Sequence, residues 1–528
     1  MSASSEELRD RLAEVLGAGD VLDDPIVREQ HSHDGGQAGA TTALVVRPRS
    51  LDHISQAVRL TTGAGFAVVP RGGGMSYTGG YTPTSERSVL FDLSGLDKIL
   101  EINEADMYVV VQAGCTWAAL RSALAGRGLR TPFWGPMSGR YATVGGSLSQ
   151  NTVMWGSTAN GTSAESTLGV TVVLADGRVI RTGTWGAAAG RPFFRSHGPD
   201  LTGLFLGDTG AFGVKAEVAL RLVPAPAAVR FVSFQYASRS DYLRAATAVA
   251  RSGLAETLFG MDPVLQGREV RDASIADGAR AMTGVIGSQG NLVRGIRQAA
   301  KVALAGRRVA REHHYALHGI VEARSDAEAD ASVEQIRKIC AAGGTEVANS
   351  VPSVMYGNPF VDITGTVSRA GELMLPQHGI FPFSAAETAW TEMDEALDPF
   401  RESFEKHGIE IGALATSAGT GFIIEFVFYW MDGLTPWHSL MLDPGTHAKF
   451  ANGNTPDSAA TAVVLEASAA LRTRLRELGA AHLQIGKRYE YQEGLDQEVA
   501  ALLGQVKSIL DPRGLVNPGS LGMPAGGP

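Results

Sequence analysis

The sequence predicts an α+β protein: an α/β unit in its first part, then one large antiparallel sheet with helices on one face. Three observations carry this. Apolar runs of strand length alternate with helix-spaced segments from Ala43 onward. Glycine is frequent, 64 of 528 residues, which suits a loop-rich fold better than a helical bundle. A composition break at Ala225-Pro226-Ala227-Ala228 divides the chain into two stretches of different rhythm. A chain this long exceeds one typical core, so two or more domains are expected.

Taken in order, Ser4 to Leu16 has helical spacing and a Ser/Glu-rich start. Asp20 to Gln37 is polar and reads as irregular. Ala43 to Pro48 is a strand ended by proline. Asp52 to Gly63 is a helix through Ile54, Ala57 and Val58, and Phe66 to Pro70 is the next strand, a βαβ opening. Ser88 to Leu93 and Met107 to Ala113 are strands, and Trp117 to Gly126 is a helix. Val170 to Ala175 and Arg178 to Thr182 form a hairpin about Asp176-Gly177. Phe212 to Pro224 alternates like a half-buried strand. Beyond the break, strands at Val229–Tyr236, His313–Ala323, Leu373–Ile380 and Gly421–Trp430 alternate with helices at Asp241–Ser252, Glu328–Ala342 and Ala385–His407. Two more helices, Pro456–Leu478 and Asp496–Leu510, precede a Pro/Gly-rich turn, Asp511 to Gly519.

The composition is that of an ordinary globular protein, 44% apolar and 19% charged. The net charge of −9 argues against a nucleic-acid surface. Cys115 and Cys340 are too few and too far apart for a disulfide framework or a zinc site, which fits a reducing cytoplasm. Met1 to Gly17 is charged and amphipathic, with no apolar centre of a signal peptide. No run of about 18 apolar residues is present, so no membrane span is expected.

The chemistry-bearing stretch is Pro70 to Gly80. Five glycines in nine residues, Gly72, Gly73, Gly74, Gly79 and Gly80, follow a buried strand. They permit positive φ and close backbone approach. Two readings satisfy them: a tight surface turn, or a concavity of backbone N–H groups that holds a diphosphate. Neither Gly-x-Gly-x-x-Gly opening a helix nor a Walker loop is present, because another strand follows. A second stretch, Gly135 to Asn151, alternates small residues and hydroxyls, which suits a flat cofactor with polar edges. Val144 and Leu148 there have helical spacing. A third, Leu206 to Val214, mixes glycine with one hydroxyl and runs into a strand.

Five motifs in order, Arg71 to Gly79, Ala142 to Asn151, Leu174 to Gly177, Gly207 to Val214 and Asp511 to Gly519, resemble the vanillyl-alcohol-oxidase/p-cresol-methylhydroxylase flavoproteins. They also resemble the glycolate oxidase and D-lactate dehydrogenase branch of that superfamily. The likeness is strong over residues 40–225 and 480–522. It implies FAD rather than a nicotinamide, and a two-part FAD-binding α/β domain with an α+β cap. The domains expected are a helical lead-in at 1–38, the FAD-binding domain at 39–225, a substrate or cap domain at 226–480, and a return to the FAD domain at 481–528. The resemblance implies that Arg71, Gly72, Gly73, Gly74, Met75 and Ser76 hold the diphosphate, and that Gly145, Gly146, Ser149 and Asn151 lie along the flavin and its ribityl chain. Gly210 and Val214 fall near the adenine side, and Asn517 closes the C-terminal contact. Pro70, Gly79, Pro136, Thr143 and Phe212 are expected to bind the cofactor as well.

Departures from the family are informative. Relatives with covalent flavin carry histidine where this chain has Met75, or in the cap strand where it has Gly421-Phe422-Ile423, so non-covalent FAD is expected. The hydroxy-acid branch carries a histidine-rich metal motif, where this chain has Ala415 to Phe422. Only His482 matches its C-terminal counterpart, and one imidazole does not make a site, so no metal is expected. The phenol branch uses a Tyr/Tyr/Arg set, for which Tyr77 and Lys487-Arg488-Tyr489-Glu490-Tyr491 are candidates by type and region. Lys487 and Arg488 read equally well as a solvated pair, and the tyrosines as packing aromatics. His378 is a candidate base or substrate donor, with a core histidine as the plain alternative. Glu425, between Ile424 and Phe426, would be costly to bury alone, and an Arg488–Glu425 pair would answer that cost. His313-His314 reads as a strand edge.

The expectation is therefore an FAD-dependent oxidoreductase with His378, Arg488, Tyr491 and Glu425 as candidate catalytic residues. Its substrate is a para-substituted phenol or aryl alcohol, with a 2-hydroxy acid as the alternative and a non-catalytic FAD-binding subunit as the second. The acceptor, O2 or a separate one, is left open, as is a homodimer.

Overall fold

The computed structural model describes residues 4–272, 314–364 and 371–524. His313 and the start of the strand expected there lie outside these residues. Four strands, β1 (Val21–Leu22), β2 (Leu44–Val46), β3 (Ala67–Arg71) and β4 (Ser88–Asp92), form the first sheet in the order β1-β2-β4-β3. β4 runs parallel to both β2 and β3 and lies between them. Val45, Val46, Val68, Val69, Val89 and Leu90 are buried, the continuous apolar run of a sheet covered on both faces. The helix Leu51–Gly63, capped by the Ser50 hydroxyl, lays Ile54, Ala57 and Val58 on this sheet beside Leu8, Leu12 and Leu16 of the first helix.

The chain continues through β5 (Ile99–Asn103), β6 (Tyr108–Gln112), β7 (Leu129–Arg130), β8 (Thr167–Val173), β9 (Val179–Arg181), β10 (Val214–Arg221) and β11 (Val223–Pro224). An antiparallel five-stranded sheet has the order β5-β6-β10-β8-β9, with β7 and β11 paired beside it. β10 is not half-buried, as its alternation suggested. As the central strand it is covered on both faces: Val218 and Leu220 pack on one, Ala219 on the other, and Lys215 is buried in an ion pair.

From Ala228 a single seven-stranded antiparallel sheet follows: β12 (Ala228–Tyr236), β13 (Thr257–Met261), β14 (Tyr315–Ala323), β15 (Thr345–Glu346), β16 (Leu373–Pro382), β17 (Glu410–Ala418) and β18 (Gly421–Trp430). Alternation assigns its two faces. Val232, Phe234, Phe422, Phe426 and Phe428 pack under the helices Arg239–Ser252, Asp326–Cys340, Ala386–Glu395 and Ser458–Glu477. Val229, Phe231, Phe259, Met261 and Ile320 face the other way, into one apolar cluster with Trp117, Trp134 and Trp155 of the first part. This is the expected α+β architecture with helices on one face of a large antiparallel sheet.

Two elements differ from the sequence reading. Residues 20–37 are not irregular throughout. They hold β1 and a helix, Pro25–His31, whose Asp24 side chain accepts the Ile26 and Val27 N–H groups at 3.0 and 3.0 Å. The single helix expected over Ala385–His407 is two, Ala386–Glu395 and Arg401–His407. Pro399 between them has no N–H to continue the ladder.

A buried ion cluster ties the two parts together. Arg130 donates to Glu256 at 2.6 Å and to Glu322 at 2.5 Å. The Asn160 amide donates to Glu256, and the Tyr356 hydroxyl donates to Glu322 at 2.8 Å. Removing one partner leaves the others charged and buried, a loss of roughly 3–5 kcal/mol. Arg130→Ala should therefore lower the urea midpoint clearly. An unchanged midpoint would show that the cluster does not hold the two parts.

Candidate functional site

A cleft with about 1370 Å³ of open space lies between the glycine loop, the helix Val144–Gln150 and the sheet beyond Leu373. Its walls include Pro70 to Tyr77, Pro136, Thr143, Gly145, Gly146, Ser149, Thr209, Gly210, Lys215, Met374, Trp437, His438 and Gln484.

The loop after β3 returns to β4 without a helix, so its backbone polar groups need partners from elsewhere. Asp34 supplies several. Its Oδ2 accepts Gly79 N–H at 2.6 Å and the Ser76 hydroxyl at 3.0 Å. Its Oδ1 accepts Gly36 and Gln37 N–H, each at 2.9 Å. Burial pushes the Asp34 carboxyl up, against donors that favour its anion. Gly74 has φ +73°, and its carbonyl accepts from Trp437 Nε1 at 2.8 Å and the Tyr81 hydroxyl at 3.0 Å. A Cβ on Gly73 would strike the Tyr141 carbonyl oxygen, so only glycine passes there.

Behind the loop, Arg71 lies 3.9 Å from Asp92. Burial works against that charge, yet His31, Arg71 and Ser94 together hold the Asp92 carboxyl well below the usual carboxylate range. The far end is knotted by Asn517. Its amide donates to Gly80 O at 2.8 Å and Thr209 O at 2.6 Å, and its Oδ1 accepts from Lys487 Nζ at 2.8 Å. Burial pushes the Lys487 ammonium down to about 7. Asn151, Thr209, Gln484 and Asn517 all have left-handed backbones around this end, a costly set that clusters at functional sites.

Beyond Tyr77 of the cleft wall, Glu425 on β18 of the seven-stranded sheet stands directly opposite His378 on β16. The Tyr77 hydroxyl, from the cleft wall, points at Glu425 Oε2 across 3.5 Å, a weak contact. His378 Nδ1 is 3.8 Å from the same oxygen and 3.2 Å from the Tyr489 hydroxyl. Burial pushes the Glu425 carboxyl up to about 7 and the His378 imidazole down to about 3. Burial and the nearby Glu425 push Tyr77 well above its ordinary value, so it remains a hydroxyl donor.

Of the residues named from the sequence, Gly79, Asn151, Phe212, Val214 and Asn517 stand outside the cleft wall, as do all four candidate catalytic residues, His378, Glu425, Arg488 and Tyr491. Gly79 and Asn517 brace it through Asp34 and Gly80. Several corrections follow. Lys487 and Arg488 are not a solvated pair; both are inside. No Arg488–Glu425 pair forms, because the Arg488 guanidinium donates to Gly36 O at 2.7 Å and to Gln37. His378 does not line the cleft but sits behind Glu425, with Nε2 against the Leu483 peptide. Tyr491 is half-buried and packs in the apolar cluster below, away from Glu425. Sequence reasoning missed Asp34, Trp437, His438 and Gln484. Only the Asp24-Pro25 cap hinted that the first of these lay in ordered chain.

The profile of the "FAD binding domain" family matches residues 42–183. This chain carries an FAD-binding domain. Glycolate oxidase subunit GlcD of Bacillus subtilis is 31% identical over 223 residues, 42% of this chain and 46% of that protein. The chain thus spans about half the length of the curated relatives it matches. Among solved structures, p-cresol methylhydroxylase with substrate bound aligns with TM-score 0.72 at 14% identity, over 98% of this chain and 97% of that one. An alkyldihydroxyacetonephosphate synthase aligns with TM-score 0.68 at 15% identity, over 98% and 85%. At such identities the likeness is one of fold. The cleft fits FAD in its chemistry: a glycine-lined wall, buried Arg71 and Lys215, and buried Arg71 Nε, Gln150 Oε1 and Thr152 Oγ1 without protein partners. Among the described residues, no three His, Cys, Asp or Glu side chains gather as a metal site would require, and no helix is long and apolar enough to cross a membrane.

Because Asp34 holds the loop in shape, Asp34→Ala should weaken FAD binding at least tenfold in a fluorescence titration of the apoprotein, about 1.4 kcal/mol. Wild-type affinity would show that the loop keeps its form without that carboxylate.

Proposed function

We propose that the protein is an FAD-dependent oxidoreductase that oxidises the CH–OH or benzylic C–H of a para-substituted phenol or aryl alcohol. Arg71 to Ser76 would hold the diphosphate. Gly145, Gly146 and Ser149 would lie along the flavin and ribityl chain, and Gly210 near the adenine. FAD, when bound, supplies the hydride acceptor. The chain's own part is to orient the substrate, exclude water and take the hydroxyl proton onto a Glu425 oxygen. Tyr77, held as a neutral hydroxyl, orients the substrate oxygen toward that carboxylate.

The observation that carries this reading is Glu425: an otherwise apolar strand holds one carboxylate beside Tyr77, and Tyr77 lines the cleft. With 24% of its side-chain surface accessible it remains reachable. Electrostatics then bears on substrate choice. A second carboxylate within ~4 Å would be opposed by about 4 kcal/mol at an effective dielectric of ~20, which favours a substrate without one. The alternative, a 2-hydroxy acid, draws support from the glycolate oxidase relative. The flavin is taken as non-covalent because Met75, and Gly421-Phe422-Ile423 in the later strand, stand where the resembled flavoproteins with covalent FAD carry histidine.

Anaerobic bleaching of the flavin by vanillyl-type alcohols, measured beside D-lactate, glycolate and D-2-hydroxyglutarate, tests the reading. Bleaching by the aryl alcohols is expected; bleaching by the acids alone would select the alternative, and none by any substrate would point to a non-catalytic FAD-binding role. Acid precipitation should leave a colourless pellet and a yellow supernatant. Glu425→Gln should slow flavin reduction roughly 10²- to 10⁴-fold with FAD retained. Because the base must be ionised and its carboxyl is raised to about 7, kcat/KM should rise with pH through about 7 and then level. A profile flat from acid to alkaline pH would overturn Glu425 as base.

A further inference from the structure

His378 has an arrangement that a plain core histidine does not need. Its Nε2 faces both backbone groups of one residue: Leu483 N–H lies at 3.0 Å and Leu483 C=O at 2.8 Å. A neutral imidazole can use only one of these at a time. With the proton on Nε2, the ring donates to Leu483 O, and Nδ1 is an acceptor. With the proton on Nδ1, Nε2 accepts from Leu483 N–H, and Nδ1 is a donor. Nε2 therefore finds a backbone partner in either tautomer.

The other side of the ring is equally adaptable. The Tyr489 hydroxyl already accepts the His378 backbone N–H at 2.9 Å, so its own proton is free to turn toward Nδ1 at 3.2 Å or away from it. Glu425 Oε2 lies 3.8 Å from Nδ1. The titratable groups facing His378 are thus Glu425 on β18, Tyr489 and His482 on the C-terminal return, and, one residue further, Tyr77 of the glycine loop. Arg472 and Arg488 stand behind Tyr489.

We infer that His378 is a positioning residue for Glu425, a neutral imidazole whose tautomer follows the protonation state of that carboxylate. This rests on the reading of Glu425 as base. A base must be stable both ionised, before it takes the substrate proton, and protonated, afterwards. A partner with a fixed proton would favour one state and oppose the other. Across 3.8 Å, too long for a hydrogen bond, the ring acts through its dipole: when Glu425 is ionised, the Nδ1–H tautomer turns its positive end toward it, and when Glu425 is protonated, the Nε2–H tautomer turns a lone pair toward it. The ring itself carries no charge in either state, and its burial, which holds it far below its ordinary value, keeps it so. The ring gains no net proton: one leaves Nδ1 and one arrives at Nε2, through exchange with Tyr489 or solvent.

Two measurements test this without depending on each other. In FAD-loaded protein with ¹⁵N-labelled histidine, the His378 ring should pass from Nδ1–H above the Glu425 titration to Nε2–H below it, without becoming imidazolium. In Glu425→Gln the pH-dependent change should vanish. A single tautomer across that range in the wild type would overturn the inference, whatever the activity. In kinetics, His378→Asn keeps an amide near Nδ1 that can turn either way. His378→Gln reaches the Leu483 backbone but leaves Glu425 with Tyr77 alone. The Asn variant should keep the acid limb of kcat/KM near its wild-type position, and the Gln variant should move it by about one pH unit or more. Equal limbs in wild type, Asn and Gln, with only the melting temperature lowered, would reduce His378 to packing. If Glu425→Gln itself leaves flavin reduction unchanged, the reading of Glu425 as base fails. The tautomer measurement then still decides the coupling by itself.

Discussion

The structure depends on how the polar backbone of one loop is satisfied. β3 and β4 are adjacent and parallel, yet the chain joins them with a glycine-rich loop rather than a covering helix. Nearly a full set of N–H and C=O groups is thus placed inside the protein without a ladder, and each left unpaired costs about 1–3 kcal/mol. The partners come from far away in sequence. Asp34 binds Gly79 and Ser76, Trp437 and Tyr81 bind the Gly74 carbonyl, Asn517 binds Gly80, and the Lys487 backbone binds Thr78 O. The N-terminal segment, the cap excursion around Trp437 and the C-terminal return all converge there for the same physical reason. What remains open between them is the cofactor cleft.

The cap sheet contributes differently. Its alternation gives one face to aromatic packing under helices and the other to the first part of the chain. Among the polar groups of this sheet, Glu322 closes tightly on Arg130 of the first part, whereas Glu425 has only the longer approaches of Tyr77 and His378. The first group is closed and structural. The second keeps an accessible carboxylate beside the cleft. Burial raises a carboxyl in both, Glu256 in the first and Glu425 in the second, but Glu256 is held by Arg130 and Asn160, whereas Glu425 is met only by Tyr77 and the neutral His378.

Local periodicity made most elements legible. The strands with runs such as Val68-Val69 and Phe422 to Trp430, and the amphipathic helices, fall where their patterns place them. The helix Pro25–His31 was hidden because its seven residues are too few to repeat an apolar spacing, and only its cap carries a signal. Pro399 broke a helix that the apolar spacing carries straight through. For the site, glycines and hydroxyls close in sequence located most of the cleft wall. Asp34, Trp437 and Gln484 were illegible because a single polar or aromatic residue acquires its role only once a loop some tens to hundreds of residues away folds against it. Arg488 was misread for the same reason: its guanidinium answers a carbonyl of Gly36, which no spacing rule connects to it.

One edge of the first sheet has a consequence for how the protein is made. Beyond β3 the next neighbour is not a strand of the same region but Val516, paired in parallel to Val68, with Asn517 N–H bound to Val68 O at 2.8 Å. A ribosome delivers β3 long before residue 516. Through the synthesis of the whole cap, that edge stands open with its hydrogen-bonding groups exposed, and the glycine loop lacks its last brace. The cofactor pocket is therefore completed only after translation has passed Asn517. A nascent chain held short of that point presents a raw β edge, the kind of surface that chaperones cover and that other strands recruit.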